Sequence, residues 1–190
     1  MKKELHLFIV WHNARYKEKE ILNDISLKFD IVQIFSINWS KNSFTHNISR
    51  FYGKKLLKAQ KKTRQVGAEE FLLIAAYDNS PYHKSGKNIN ILSAKYKYRE
   101  ITGGGHLVHA SDNPEETEEN LLFLLGLTSK EFENKFQAPW RGNVISINKD
   151  PVAAQGWKDE NLLINLAGKI ENCIMNLYNV HIQGARKLLK

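Results

Sequence analysis

The sequence predicts one compact α/β or α+β domain, with a mixed sheet of about five strands and four to five helices. Three observations carry this expectation. Short apolar runs that read as buried strands alternate with stretches of helical apolar spacing. The chain has 190 residues, of which 42% are hydrophobic, enough for one sizeable core. No repeat, low-complexity tract or linker divides it, so residues 1–190 read as a single domain with a weakly patterned tail over 178–190.

Leu5 to Trp11 (LHLFIVW) is a buried strand. Ala14 to Phe29 follows as a helix with Leu22, Ile25 and Phe29 on one face. Asp30 to Trp39 is a second strand, buried on both faces at its start. Strand, helix and strand within 40 residues make a βαβ-like opening. Asn42 to about Lys62 reads as one helix, Phe71 to Tyr77 as a third strand ending at Asp78, and Asn79 to Gly86 as a loop. Asn88 to Tyr98 alternates imperfectly and reads as a fourth strand, with Tyr96 and Tyr98 on the face opposite Lys95, Lys97 and Arg99.

The next helix has an explicit start. Asn113 caps, Pro114 occupies the first helical position, and Glu116 closes a capping box. Leu121, Leu122 and Leu125 supply its apolar face, and Gly126 ends it. Thr128 and Glu131 form a second capping box before a short helix, and Asn143 to Ile147 is a fifth strand. Asp150 to Gly156 is a loop, and Asp159 to about Asn176 is a long amphipathic helix with Leu162, Leu166, Ile170 and Ile174 in phase.

One cysteine, Cys173, excludes an internal disulfide framework and a cysteine metal cluster. No apolar run approaches the roughly 18 residues needed to span a membrane. Leu5 to Trp11 is too short for a secretory signal and lacks a small-residue cleavage site, so a cytoplasmic protein is expected.

The formal charge is +8. It is unevenly spread: residues 1–110 carry 19 basic and 9 acidic side chains, while residues 111–190 carry 9 and 11. The excess accumulates ahead of the Gly103–Gly105 run and favours an anionic partner. A solvated basic surface that aids solubility is the plainer alternative.

The central stretch is REITGGGHLVHASDN, from Arg99 to Asn113. Three successive glycines, Gly103, Gly104 and Gly105, can bring backbone N–H groups close to a phosphate. His106 and His109 follow as acid–base candidates, with Arg99 and Lys97 upstream to neutralise charge. The helix at Pro114 offers its N-terminus nearby. The run is neither a P-loop nor a dinucleotide fingerprint. A tight turn with one satisfied and one exposed histidine explains it equally simply. A two-histidine metal site would need a third ligand such as Asp112 or Asp78.

Ser49 to Arg64 holds seven basic residues, including Lys54, Lys55, Lys58, Lys61 and Lys62. They suit a nucleic-acid backbone or a polyphosphate, or simply a solvated helix. Arg50 can clamp phosphate, and Tyr52 can stack on a ligand or hydrogen-bond it. Asp78, at a strand end, is the best carboxylate for a base or for a divalent metal such as Mg²⁺, although Asp78-Asn79-Ser80-Pro81 is also turn chemistry. Trp11 and Arg15, after the first strand, are candidate ligand contacts. Trp39, Trp140 and Trp157 read as core or rim aromatics. His6, His46 and His181 read as structural or surface residues.

The run KYKYREITGGGHLVHASDNPEE resembles an uncharacterised domain of bacterial surface-polysaccharide-locus proteins, which sometimes accompanies a nucleotidyltransferase-like domain. The resemblance covers Phe8 to about Asn176 and implies phosphosugar or nucleotide-sugar metabolism. The chain lacks a Gly-Ser element followed by paired Asp residues, so it would match the accompanying domain alone. A weaker likeness is to the sulfiredoxin and ParB-type nucleotide-binding fold, but Leu107 follows Gly104-Gly105-His106 where that pattern has Arg.

The function expected is that of an enzyme acting on a nucleotide or sugar phosphate, by phosphoryl or nucleotidyl transfer or by phosphate-ester hydrolysis. The alternatives are a nucleic-acid-binding module using the basic helix 50–64, and a noncatalytic nucleotide-binding domain that joins a partner enzyme or a second copy of itself.

Overall fold

A computed structural model of the chain describes residues 3–53 and 56–151. The expected helix over 159–176, the tail over 178–190, most of the 150–156 loop, and Lys54, Lys55, Trp157, Cys173 and His181 lie outside those residues.

The described residues form an α/β domain with a five-stranded mixed sheet. Strand β1 is Glu4–Val10, followed by a 3-10 turn at His12–Lys17, helix α1 (Glu18–Lys28) and strand β2 (Asp30–Ile37). Helices α2 (Lys41–Tyr52) and α3 (Leu56–Val66) lead to β3 (Phe71–Asp78). The small strands β4 (His83–Lys84) and β5 (Lys87–Asn88) precede helix α4 (Ile89–Ile101). Strand β6 (Val108–Ala110), helices α5 (Pro114–Leu125) and α6 (Ser129–Lys135), and strand β7 (Val144–Ile147) complete it.

The strand order is β6-β1-β3-β2-β7. Both β1 and β2 run antiparallel to β3, so they are parallel to each other with β3 inserted between them. The βαβ-like opening is therefore a split βαβ unit. At one edge β6 is antiparallel to β1, and at the other β7 is parallel to β2.

Helices cover both faces of the sheet. On one face Leu7, Ile9, Phe35, Ile37 and Leu73 meet Phe44, Ile48 and Phe51 of α2 and Leu121 and Leu124 of α5. On the other, Phe8, Val10, Ile34, Leu72 and Ile74 meet Ile21 and Ile25 of α1 and Ile91, Ala94 and Tyr98 of α4. This double coverage explains why β1 and β3 read as continuous apolar runs instead of alternating. Each fully buried aliphatic or aromatic side chain contributes roughly 1.5–3 kcal/mol, so the core rests on many comparable contacts.

Four local expectations are corrected. The largest is the strand expected over Asn88–Tyr98: Asn88 ends the short β5, and from Ile89 the chain is helix. The Asn88 side chain accepts from the amides of Asn90 and Ile91, at 3.0 and 3.3 Å, and so caps α4. Buried Ile91, Ala94 and Tyr98 recur at helical spacing. The short alternation over residues 95–99 fits a strand only because five residues satisfy either period. The expected helix over 42–62 is two helices, since Gly53 takes a left-handed conformation (φ 59°) and caps α2. The helix expected from Ala14 opens as the 3-10 turn, and α1 begins at Glu18. The 79–86 loop contains a hairpin turned by Ser85 and Gly86, both at positive φ.

The remaining signals match. Asn113 accepts from the Glu116 amide at 2.8 Å with Pro114 in the first turn, and Gly126 ends α5 at φ 70°. Glu116 reaches back to the Asp112 amide at 2.7 Å, one residue before the cap itself. The Thr128–Glu131 box is complete.

Candidate functional site

The change of Ile89–Tyr98 from strand to helix redraws the glycine loop. Gly103, Gly104 and Gly105 all have positive φ, at 82°, 88° and 70°. The Gly104 amide donates to the Arg99 carbonyl at 2.7 Å, and the Gly103 amide to the Glu100 carbonyl at 3.0 Å. These two bonds form a Schellman motif closing α4. Two of the three amides expected to cradle phosphate are thus spent on orphan carbonyls, at the negative end of a helix. Gly105 also packs closely, against the end of a movable side chain. A Cβ there would lie 2.4 Å from the Gln65 amide nitrogen of α3, whereas at Gly103 and Gly104 it would meet open space.

Helix α4 also sorts its basic residues. Lys95 and Arg99, one turn apart, reach the outer edge of β6. Arg99 Nε donates to the Val108 carbonyl at 2.8 Å, and Lys95 Nζ to the Ala110 carbonyl at 3.3 Å. Those carbonyls face away from β1, which takes its bonds from the alternate residues Leu107 and Ser111. The two cations therefore close the free edge of the sheet. Lys95 also pairs with Asp112. Lys97 points elsewhere and pairs with Asp24 of α1 at 2.7 Å.

His109, between them on β6, faces the α2–α5 side. It is 8% exposed. Phe51 and Tyr52 stand edge-on to it, with ring centroids 5.2 and 5.9 Å away. Its Nε2 lies 3.2 Å from the Asn120 side-chain nitrogen and 3.6 Å from a Glu116 carboxylate oxygen. An amide that donates to Nε2 leaves the proton of the neutral ring on Nδ1. Burial, then the positive charges of Lys95 and Arg99, push the His109 pKa down to about 3. The ring is neutral at physiological pH.

Tyr52 adds a phenol held by the Trp11 indole N–H at 3.2 Å. Burial raises its pKa. Lys62 is 6% exposed, donates to the His106 carbonyl at 2.6 Å and lies 5.0 Å from the Tyr52 ring. Arg50 packs 5.1 Å from the Phe123 ring on the same side of the sheet. Arg99, Lys62, Tyr52, His109, Asn120 and Glu116 thus form one polar cluster at the end of β1 and the start of β6.

The other expected residues fall outside it. His106 is exposed on the loop, in an environment unlike that of His109. Asp78 ends β3 opposite Glu4, while the cluster lies beyond Val10 and Val108. Six residues of strand put about 20 Å between them. Both Asp78 oxygens are bonded, Oδ1 to the Ser80 amide and Oδ2 to the Asn88 and Asn90 side chains. The turn reading describes this residue. Trp11 is fully buried among Trp39, Phe51 and Phe71, so it supports Tyr52 from within the core. Arg15 is paired with Glu18 and Glu70.

Asp112 pairs with Lys95 and Lys87, and Asp78 is held by amides, so neither offers an open oxygen set for Mg²⁺. Among the described residues no group of three or more His, Cys, Asp or Glu side chains is placed to hold a metal. No helix there is long and apolar enough to cross a membrane.

The sequence names Lys62 only as one of the basic residues of the 49–64 stretch, and it does not point to Asn120. The signal for both is positional: Ala59, Lys62 and Val66 share the buried side of α3, and Asn120 lies beside Leu121 and Leu124 on the buried side of α5.

No protein-family model matches the chain, and no curated protein matches it. Among solved structures, the nucleoside diphosphate kinase of Aquifex aeolicus aligns with a TM-score of 0.46 at 16% identity, over 68% of this chain and 99% of that one.

Proposed function

We propose that this domain binds a phosphorylated small molecule, a nucleotide or a sugar phosphate, at the Arg99–His109 cluster, and acts there on its phosphate. One observation carries the reading. The Arg99 guanidinium is anchored through Nε on Val108, its terminal nitrogens have no partner among the described residues, and its charge is felt by both Tyr52 and His109. A fixed guanidinium beside a buried neutral imidazole suits recognition of a phosphate. Lys62 adds a second cation.

His109 is a weak base while Lys95, Arg99 and Lys62 depress it. Burial is the larger cause of its low basicity; a bound phosphate offsets the three charges and so raises the proton affinity of the ring. Glu116, 3.6 Å away, favours the protonated ring further. The surface-polysaccharide setting implied by the sequence resemblance would make a sugar phosphate the natural substrate.

The test is calorimetric titration of the full chain with ATP, AMP, adenosine and glucose 1-phosphate, alongside Arg99→Gln, with ³¹P NMR to follow turnover. Phosphate-bearing ligands should bind, adenosine should not, and Arg99→Gln should weaken binding about 10- to 100-fold, as expected for a charge-assisted hydrogen bond. Equal binding of AMP and adenosine, or unchanged affinity in the variant, would overturn the reading. Binding without turnover would leave the noncatalytic alternative.

A second reading has its own observation. Lys58, Lys61 and Arg64 are exposed along α3, as a nucleic-acid backbone contact requires. It predicts binding of single-stranded RNA or DNA that weakens steeply with salt.

A further inference from the structure

At the end of the sheet remote from Arg99 lies a cavity of about 430 Å³, in the size range of small-molecule pockets. Its walls include Phe29, Tyr77, Phe136 and Trp140, and Lys3 and Asp30 stand at its mouth.

The walls are fixed in place. Strand β2 carries a bulge here: Ile31 pairs with Ala76 and Gln33 with Ala75, leaving Val32 as the extra residue. Bulges redirect side chains and are frequent beside binding sites. Ile31 and Val32 line the cavity. Gln33, 4% exposed, turns its amide to the Asn143 carbonyl at 3.2 Å. The Trp140 indole N–H donates to that same carbonyl at 2.6 Å. One backbone oxygen thus ties the Trp140 wall to the bulged strand. Phe136 is anchored in the core by Phe132 and Phe35, with ring centroids 4.7 and 5.6 Å away. The Tyr77 hydroxyl donates to Glu133 at 3.0 Å.

The charges at the mouth differ. The Asp30 carboxylate accepts from Asn79 at 2.6 Å. Lys3 lies 3.7 Å from the Tyr77 ring centroid and has no carboxylate partner among the described residues. The mouth thus carries one charge of each sign. The Asp30 carboxylate is held by an amide, and Lys3, against an aromatic wall and without a carboxylate partner among the described residues, is the group placed to meet an anionic ligand.

We propose that this cavity binds a flat aromatic molecule carrying one negative charge, with its rings against Trp140 and Phe136 and its charge at Lys3. The site is independent of the phosphate cluster.

The test is titration of the full chain with 1-naphthalenesulfonate and with neutral 1-naphthalenemethanol, followed by Trp fluorescence and by amide NMR shifts. Wild type should bind one equivalent of each, with shifts confined to residues 29–32, 76–78 and 136–143. Ala138→Trp, which places a bulky ring in the cavity, should weaken both ligands at least tenfold, as should Trp140→Ala. Lys3→Ala should weaken only the sulfonate, by up to about fivefold, the scale of an exposed ion pair. If Trp140→Ala does not fold, Ala138→Trp carries the test. Unchanged binding in Ala138→Trp, shifts elsewhere, or equal effects of Lys3→Ala on both ligands would overturn the proposal.

Discussion

His109 makes the acid stability of this domain directly testable. Its pKa in the folded chain is about 3, whereas an unfolded histidine titrates near ~6.5. Between those values the unfolded chain holds a proton that the folded chain refuses. Lowering the pH therefore favours unfolding. The stability is fully present above the unfolded value and is lost as the pH falls toward the folded one. The slope reaches about 1.4 kcal/mol per pH unit below the unfolded value, so falling from pH 7.5 to 4.5 removes about 3 kcal/mol. The groups facing the ring are Lys62, Lys95, Arg99, Asp112 and Glu116, and the three cations oppose its protonation. The assay is urea unfolding of wild type and His109→Gln at pH 7.5 and 4.5. The variant keeps a polar group for Asn120 but has nothing to titrate there. Groups common to both proteins, including buried His6, cancel in the comparison. The variant should lose about 2–3 kcal/mol less than wild type on acidification. Equal losses, within about 0.5 kcal/mol, would refute the claim that burial and Lys95 and Arg99 hold this ring neutral.

Three further outcomes follow from other contacts. Asp24→Ala should cost about 1–3 kcal/mol in urea unfolding, because the buried Tyr98 hydroxyl, 2.8 Å from that carboxylate, loses its partner. Gly103→Ala should destabilise by about 1–2 kcal/mol through its left-handed φ alone, since a Cβ there meets nothing; calorimetric melting that shows no loss would contradict the Schellman assignment. Asn113→Ala should cost about 1 kcal/mol and fray the start of α5, measurable by hydrogen exchange at Glu116.

Much of the fold was legible because it is local. The caps at Asn113 and Thr128 and the stop at Gly126 act within a few residues, and the apolar runs of β1 and β3 are long enough to have one meaning. The candidate site was legible only in its membership. Arg99, His109, Arg50 and Tyr52 were picked out by type, but the glycines were read as a cradle following a strand. The helix reading was available in the same residues: a capping Asn88, an Ile91-Ala94-Tyr98 stripe, and basic side chains followed by glycine, the usual end of a helix.

The sequence by itself determined the α/β class, most element positions and the concentration of positive charge ahead of the glycine loop. Only the tertiary structure decided what that charge does. Inserting β3 between β1 and β2 sends Asp78 to the far end of the sheet from His109. Packing α4 against the β6 edge spends Lys95 on a carbonyl and a carboxylate, turns Lys97 to α1, and leaves Arg99 beside a buried imidazole. Helical and strand periods are properties of neighbouring residues and can be read along the chain. Which side chains lose water together depends on strands far apart in sequence, and that burial sets the protonation state of His109.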